Sequence, residues 1–316
     1  MMNPLKVSII VPVYGVEKFI AEFAVSAFEQ TYPYIEYVFV NDGTKDRSID
    51  ILEQLITQKY SHLRDAIIIV NKENGGLPAA RKTGLEHATG DYIWHVDPDD
   101  WIERDSVENI VSKIQETGAD VVYFNLVKEY ADRSKVKRDR PHASHAREEY
   151  VSDMYNHRSF GSLCNKCVKR SLYDKPGVIF ARYSYAEDTF LTSQLVGNSS
   201  CIAFLDKALY HYRKTNPNAI TRLKRKNRRH EYALNFLRLY ENYRDVQPSE
   251  NPILPIVDDI LIQAGWYSIM YRLRLFKSHP YLAQAILKAK MRAHTDVWLP
   301  AQLLVKLVAF YHKLIR

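Results

Sequence analysis

The sequence predicts an α/β fold with a mostly parallel central sheet, helices on both faces, and a C-terminal α-helical region. Through about residue 127, short apolar runs alternate with segments whose apolar residues recur every three or four positions. This alternation is typical of parallel sheets, because helical crossovers join their strands. From about residue 222 the pattern is helical to the end of the chain.

The elements follow in order from this periodicity. Each predicted strand is a short apolar run, and the first (residues 7–13) is rich in β-branched residues. Each predicted helix has one apolar face, which in the first helix comprises Phe19, Ile20, Phe23, Ala24, Ala27 and Phe28. Strands are predicted at residues 7–13, 35–40, 66–70, 91–97, 120–127 and 201–212. Helices are predicted at residues 17–29, 46–59, 78–88, 103–117 and 186–197.

The segment between residues 131 and 149 interrupts the pattern. It is polar and highly charged, which predicts an exposed, mobile excursion. Residues 160–215 then return to the strand and helix pattern. We therefore expect one domain over residues 1–215 and a basic, helical region over residues 216–316.

Composition narrows the class of protein. The chain has 316 residues, 46% hydrophobic and 26% charged, which argues against general disorder. Three cysteines do not indicate a disulfide framework, so a reducing, cytoplasmic setting is expected. Cys164 and Cys167 have the spacing of a redox or zinc site, but no second pair follows. Neither a secretory signal nor a run of 18 apolar residues is visible, so no spanning helix is expected.

Positive charge is concentrated in the C-terminal third. Residues 216–316 hold 17 Lys and Arg against 7 Asp and Glu, whereas the whole chain has a net charge of +7. Residues 1–215 are therefore slightly acidic. The excess predicts an anionic partner for the C-terminal third, either a lipid surface, a lipid-linked phosphate or nucleic acid.

Three carboxylates follow the predicted strand at residues 91–97. Asp97 and Asp99 are expected to project to the same side, because side chains alternate along a strand, and Asp100 to the other. Two such carboxylates can hold a hard divalent cation. A surface turn rich in Asp and Pro is the alternative. Asp42 also follows a predicted strand, and ligands of parallel sheets bind beyond these strand ends, so Asp42 and Asp97 are expected to share a site.

Five segments in order resemble the family 2 glycosyltransferases, which have the nucleotide-sugar-binding fold called GT-A. The resemblance covers roughly residues 5–215. The matching segments are Val11-Pro12-Val13-Tyr14, Val40–Asp46, Asn74–Arg81 with Gly84-Leu85 and Gly90–Ile93, Asp97-Pro98-Asp99-Asp100, and Tyr185–Phe190.

The resemblance implies roles on the donor side of the site. Pro12, Val13 and Tyr14 would line the uracil pocket of a UDP-sugar, and Asp42 would accept a hydrogen bond from the base. Asn74, Arg81 and Asp97 would contact the nucleotide-sugar. Asp99 would hold Mn²⁺ or Mg²⁺. Tyr14 as a core residue, Asp42-Gly43 as a turn and Arg81 as a solvated arginine are the alternatives.

The resemblance also implies Asp188 as the general base of an inverting displacement. Glu187 competes for that role, and an acidic first turn of a helix is the structural alternative for both residues. Asp100 would serve the sugar or the next helix. Lys166 and Arg213 would help to hold phosphate or acceptor, whereas His211 is expected to be a packed strand residue.

Three residues depart from the family pattern, and these departures bear on which sugar the enzyme would use. Gly15, Lys82 and Pro98 stand where many relatives have Asn, Asn and a small polar residue. None of these changes removes a catalytic atom. The Gln-x-x-Arg-Trp signature of processive synthases is absent from the sequence, so a single-addition enzyme is expected.

The C-terminal third suggests a membrane surface. A dense basic run lies within Arg222–Arg229, and such runs are usually solvated. In the last predicted helix one stripe carries Gln302, Lys306, Lys313 and Arg316, while the other positions between Leu299 and Ile315 are mainly apolar. This pattern suits the inner face of the cell membrane. Packing on the domain or in a homodimer is the alternative.

The leading hypothesis is an inverting, metal-dependent transferase that moves a hexose or N-acetylhexosamine from a UDP-sugar to a lipid-linked glycan. A non-catalytic, membrane-associated assembly module is the main alternative. Nucleic-acid binding is a third hypothesis, but the sequence contains no recognised nucleic-acid-binding motif. Nucleotidyl transfer is a fourth, in which Glu187 and Asp188 would have no role.

Overall fold

The structure is a computed structural model that describes residues 4–155, 157–220 and 225–243. The predicted last helix and most of the predicted C-terminal region lie outside these residues, as do the side chains of the basic run. The strands are β1 Val7–Val13, β2 Ile35–Asn41, β3 Ile67–Asn71, β4 Tyr92–His95, β5 Trp101–Ile102, β6 Val121–Glu129, β7 Ser134–Lys137, β8 Lys166–Lys169 and β9 Ile202–Arg213. The helices are α1 Ile20–Phe28, α2 Ser48–Lys59, α3 Leu77–His87, α4 Ser106–Thr117, α5 Arg147–Tyr155, α6 Glu187–Gly197 and α7 Arg225–Tyr243.

These strands form one mixed sheet in the order β3-β2-β1-β4-β8-β6-β9-β5, with β7 paired to the end of β6. The pairs among β3, β2, β1 and β4 are parallel, as is β6 with β9. The predicted α/β fold class is confirmed. Strands β5, β7 and β8 were not predicted and are antiparallel to their partners.

The predicted excursion at residues 131–149 is only partly correct. It contains β7 and the start of α5, and β7 continues β6 as an antiparallel hairpin. The prediction missed β7 because its side chains are exposed or half-buried and show no apolar alternation. Backbone hydrogen bonds to β6, rather than core packing, therefore define this edge strand.

Apolar side chains cover both faces of the sheet. Ile9 and Phe39 face a core formed with α1, α2 and α4. Ile10 and Val40 face a second core formed with α3, α5, α6 and α7. Helix α7, which the prediction placed in the C-terminal region, packs Phe236 against this second core. No helix among the described residues is long and apolar enough to cross a bilayer.

Helix α3 lies unusually close to β1 and β2. A methyl group added at Gly84 would lie 2.3 Å from Ile10 Cγ2 and 3.3 Å from Val40 Cγ2. Both neighbours are β-branched and fully buried, so neither can move easily. Glycine at this position therefore allows the approach of α3, which carries Arg81 one turn earlier.

We predict that Gly84→Ala lowers the free energy of unfolding. Overpacking typically costs about 1–3 kcal/mol, which outweighs the ~1 kcal/mol that alanine gains over glycine inside a helix. Urea denaturation measures the difference. In an Ile10→Ala background the clashing methyl is gone, so the same substitution should be neutral or stabilising. An equal loss in both backgrounds would contradict the close packing.

Candidate active site

The ends of β1, β2 and β4 meet the first turns of α3 and α6, and Arg81 lies at the centre. Its side chain is 1% exposed. Its guanidinium pairs with Asp97 (Nη2 to Oδ1, 2.8 Å) and with the carboxylates of Glu187 and Asp188. We call these four residues the Arg81 cluster. The solvated-arginine alternative for Arg81 is wrong, because three acids from two distant segments surround it.

Electrostatics inside the Arg81 cluster are dominated by burial and by the excess of carboxylates. Burial opposes the charge of Arg81, but the three acids outweigh it and keep the pKa of Arg81 well above its ordinary value. Burial raises the pKa of Glu187 well above its ordinary value, and Asp188 adds to this rise. The two acids also differ in access, because the Glu187 side chain is 3% exposed and that of Asp188 is 33% exposed.

Asp97 and Asp99 form the part of the site that could hold a divalent cation. Burial raises the pKa of Asp97 to about 6, with Arg81 opposing the rise and the Asp188 and Asp99 carboxylates adding to it. Asn216 donates a hydrogen bond to Asp99 Oδ2 at 2.7 Å and so orients that carboxylate. Two neighbouring carboxylates that repel each other, with oxygen as the only donor atom, fit Mn²⁺ or Mg²⁺.

Asp100 and Arg213 support the acidic loop from β9. Asp100 is fully buried and accepts hydrogen bonds from the Tyr210 hydroxyl (2.6 Å) and the Arg213 amide (2.7 Å). The Arg213 guanidinium donates to the Asp99 carbonyl at 2.7 Å and stacks on Trp101. These contacts account for both side chains without a sugar or an acceptor.

Lys166 has a different environment from the one expected. It is 1% exposed, and its ammonium donates to the carbonyls of Phe160 (2.7 Å) and Ser162 (2.8 Å) and to Asn165 Oδ1 (2.9 Å). Burial lowers the pKa of Lys166 to about 8. All three N–H bonds thus have acceptors, so Lys166 holds the segment before β8 rather than offering a free charge to phosphate.

The predicted nucleotide side lies at the ends of β1 and β2. Pro12 and Val13 are buried, whereas Tyr14 is 56% exposed, so the core alternative for Tyr14 is wrong. The Asp42 carboxylate accepts hydrogen bonds from Lys72 Nζ (2.6 Å) and from the amides of Gly75 (2.9 Å) and Gly76 (2.8 Å). Asp42 therefore fixes the loop that leads into α3.

Residues around that loop combine turn and site features. Asn74 is exposed within it. Gly43 has φ +68, so the turn expected at Asp42-Gly43 is present together with the buried carboxylate. Lys72 was not singled out from the sequence, although its place between β3 and the Gly75-Gly76 pair was a usable signal.

Two further residues near Arg81, His95 and Tyr173, were not singled out from the sequence. His95 is buried on β4, and its ring lies 5.9 Å from that of Tyr173. Burial and the nearby Arg81 charge lower the pKa of His95 well below its ordinary value, so the imidazole is neutral.

The expected packed residue His211 does lie on β9, and its ring nitrogens face Glu129 and Glu103.

The two remaining metal candidates are not supported by their surroundings. Cys164 and Cys167 are buried free thiols, and burial raises the pKa of both, which disfavours the metal-binding thiolate. Among the described residues His142, Glu149 and Asp153 have ligand spacing. Arg140 and Arg158 already neutralise Asp153, at 2.8 Å and 2.7 Å.

Comparison with known proteins is consistent across sequence and structure. The model of the family "Glycosyl transferase family 2" matches residues 8–190. The uncharacterized glycosyltransferase EpsJ of Bacillus subtilis (strain 168) is 32% identical over 228 residues, which cover 70% of this chain and 64% of EpsJ. The chain thus spans somewhat less than two thirds of that relative.

Solved structures of similar fold have low sequence identity. S. aureus TarS 1-349 in complex with UDP-GlcNAc has a TM-score of 0.64 at 21% identity, covering 90% of this chain and 79% of TarS 1-349. The mannosyltransferase PcManGT from Pyrobaculum calidifontis, in complex with GDP-Man and Mn²⁺, has a TM-score of 0.56 at 19% identity, covering 98% and 85%. Because the family model covers more than half of the sequence, the chain belongs to glycosyl transferase family 2.

Proposed function

We propose that this protein is an inverting, metal-dependent glycosyltransferase that moves a hexose or N-acetylhexosamine from a UDP-sugar to a hydroxyl group of a glycan. The observation that carries the proposal is the Arg81 cluster, which brings Asp97 and Asp188 together at the edge of the sheet where Asp42 also lies. The acceptor would be a lipid-linked glycan in capsule, lipopolysaccharide or exopolysaccharide synthesis.

The donor would bind at the ends of β1 and β2. The exposed ring of Tyr14 offers a face on which a base can stack, and the Asp42 carboxylate, which accepts from the Gly75 amide, fixes the loop near the start of α3. To bind Asp42, uracil would have to replace one of the three present hydrogen-bond donors. Lys72 is the one that donates from a side chain, which is 22% exposed. The UDP-GlcNAc complex of TarS, which has a similar fold, supports a UDP-sugar donor.

Asp99, with Asp97, would hold Mn²⁺ or Mg²⁺. When bound, such an ion offsets the negative charge that develops on the UDP leaving group. Asp99 and Asp97 would supply oxygen ligands, and Arg81 limits the repulsion between Asp97 and Asp188 of α6. The Mn²⁺ in the PcManGT complex supports a metal in this fold.

Asp188 would remove the proton from the acceptor hydroxyl. Its greater exposure than Glu187 favours it as the base, because the acceptor must reach its carboxylate. The hydroxyl oxygen then bonds to the anomeric carbon from the face opposite UDP. The bond to UDP breaks with its electron pair, so the configuration inverts.

The proposed site of action is the inner face of the cell membrane. It rests on the excess of basic residues in the C-terminal third, including the stripe between Gln302 and Arg316. These residues lie outside the described part of the chain. A homodimer through the same region is the alternative, and no nucleic-acid partner is proposed.

We predict that Asp188→Asn lowers the rate of sugar transfer by about 10²–10⁴-fold, the usual contribution of a positioned base. A panel of UDP-sugars with Mn²⁺ and a glycan acceptor measures the rate, and calorimetry should show UDP affinity within about threefold of wild type. Asp174→Asn, a change to an exposed acid outside the site, is the matched control. Transfer at the wild-type rate would refute the assignment of the base.

We predict an acid limb in kcat/KM for the donor with a midpoint near pH 6. Because the pKa of Asp97 is raised to about 6, this carboxyl binds a proton as the pH falls through that value. The protonated form attracts neither Arg81 nor a cation, so activity declines below the midpoint. Rates between pH 4.5 and 8, on protein shown to remain folded by circular dichroism, measure the profile. Constant kcat/KM down to pH 4.5 would contradict the role of Asp97.

A further inference from the structure

One face of α7 carries four polar residues at helical spacing: Glu231, Asn235, Arg238 and Asn242. They contact residues 177–185, the segment that runs into α6, which we call the strap. The family match ends at residue 190, so this face of α7 lies outside it. Within the described part of the chain, the hydrogen bonds that these four side chains make all go to the strap and none to the Arg81 cluster.

Asn235 makes the central contact and is fully buried. Its side chain accepts a hydrogen bond from the Tyr183 amide (3.1 Å) and donates to the carbonyls of Tyr183 (2.8 Å) and Tyr185 (3.0 Å). Glu231 accepts from the Tyr185 amide at 2.9 Å. Every one of these bonds is to the backbone, so they fix the path of the strap whatever its side chains are.

Further hydrogen bonds hold the first half of the strap, from α7 and from α6. Arg238 donates to the Phe180 carbonyl at 3.1 Å, and Asn242 donates to the Gly177 carbonyl at 2.8 Å. From α6, Gln194 accepts from the Ile179 amide and donates to its carbonyl. The strap therefore lies between α6 and α7 with its backbone tied to both.

These hydrogen bonds to the strap also constrain the residues that follow it. Ala186 adopts φ +61, a left-handed conformation that an alanine keeps only when its neighbours impose it. Glu187 and Asp188 are the next two residues and begin α6. Release of Tyr183 and Tyr185 would let Ala186 relax, and the first turn of α6 would then turn away from Arg81.

We infer that Asn235 and Glu231 are positioning residues for Asp188 and act through the strap. The inference rests on the proposed function, in which Asp188 is the base. A displacement of about 1 Å at a reacting group can cost on the order of 10²-fold in rate. Donor binding is proposed at β1, β2 and the acidic loop. The strap approaches that side where a methyl group on Gly76 would lie 3.4 Å from Ser184 Oγ, so a much smaller effect is expected on donor binding than on kcat.

Kinetics of Asn235→Ala and Asn235→Asp test the inference. We expect kcat for sugar transfer to fall by about 10–100-fold, with the donor KM and the UDP dissociation constant within about twofold of wild type. Asn242→Ala is the matched control, since it removes the same side chain from the same helix at the far end of the strap, and it should keep the wild-type kcat. A wild-type kcat in both Asn235 variants, a parallel loss of UDP affinity, or an equal loss in Asn242→Ala would overturn it.

Hydrogen exchange provides a readout that needs no activity. In Asn235→Asp, which preserves side-chain volume, exchange should accelerate in peptides covering residues 183–190 and stay unchanged in β1 and β2. Faster exchange confined to residues 183–185, with residues 187–190 unaffected, would overturn the link to Asp188. Absence of transferase activity in the wild type would instead refute the proposed function and leave the exchange result to decide the strap.

Discussion

A single buried guanidinium that pairs with three carboxylates is the interaction on which the site depends. Arg81 contributes one positive charge against the acids of Asp97, Glu187 and Asp188. Removal of one partner from a buried ionic group typically costs about 3–5 kcal/mol, a range that applies to the Arg81–Glu187 pair rather than to the partly exposed Asp97 and Asp188. The excess of acid, increased by the adjacent Asp99, supports the proposed divalent cation, which would offset negative charge on the donor phosphates.

The fold brings together acids that are far apart in the chain. Asp97 is 16 residues from Arg81, whereas Glu187 and Asp188 are 106 and 107 residues away. Parallel β1, β2 and β4 place one group of residues at a common edge, and close packing at Gly84 brings α3 onto that edge. The second group, Glu187 and Asp188, directly follows the strap, whose backbone is hydrogen-bonded to Asn235 of α7.

The sequence predicted those parts of the molecule that local patterns define. Strands β1 and β2 agree with their predicted bounds to within one residue, because both are continuous apolar runs buried on both faces. Strand β5 has two residues and β8 has four, too few for any periodicity. Glu187 and Asp188 could not be assigned to Arg81 from spacing, since they come from the far end of the domain.

Lys166 shows the same limit on a smaller scale. Its acceptors are two backbone carbonyls and a neighbouring amide, and their positions depend on how residues 160–165 fold. A lysine in a sequence suggests a surface charge, and only the structure shows that this one is buried and hydrogen-bonded to the preceding segment. Glu231, Asn235, Arg238 and Asn242 were not singled out from the sequence, because helical spacing alone does not indicate that they bind the strap.

The most direct test of the central claim is a crystal structure of the protein with UDP and Mn²⁺, collected at a wavelength where manganese scatters anomalously. The account predicts one strong anomalous peak in contact with the Asp99 carboxylate and the UDP phosphates, with the uracil beside Tyr14 and Asp42. Ordered UDP bound away from Asp42 and Asp97, or manganese at a different cluster with Asp99 unliganded, would contradict it.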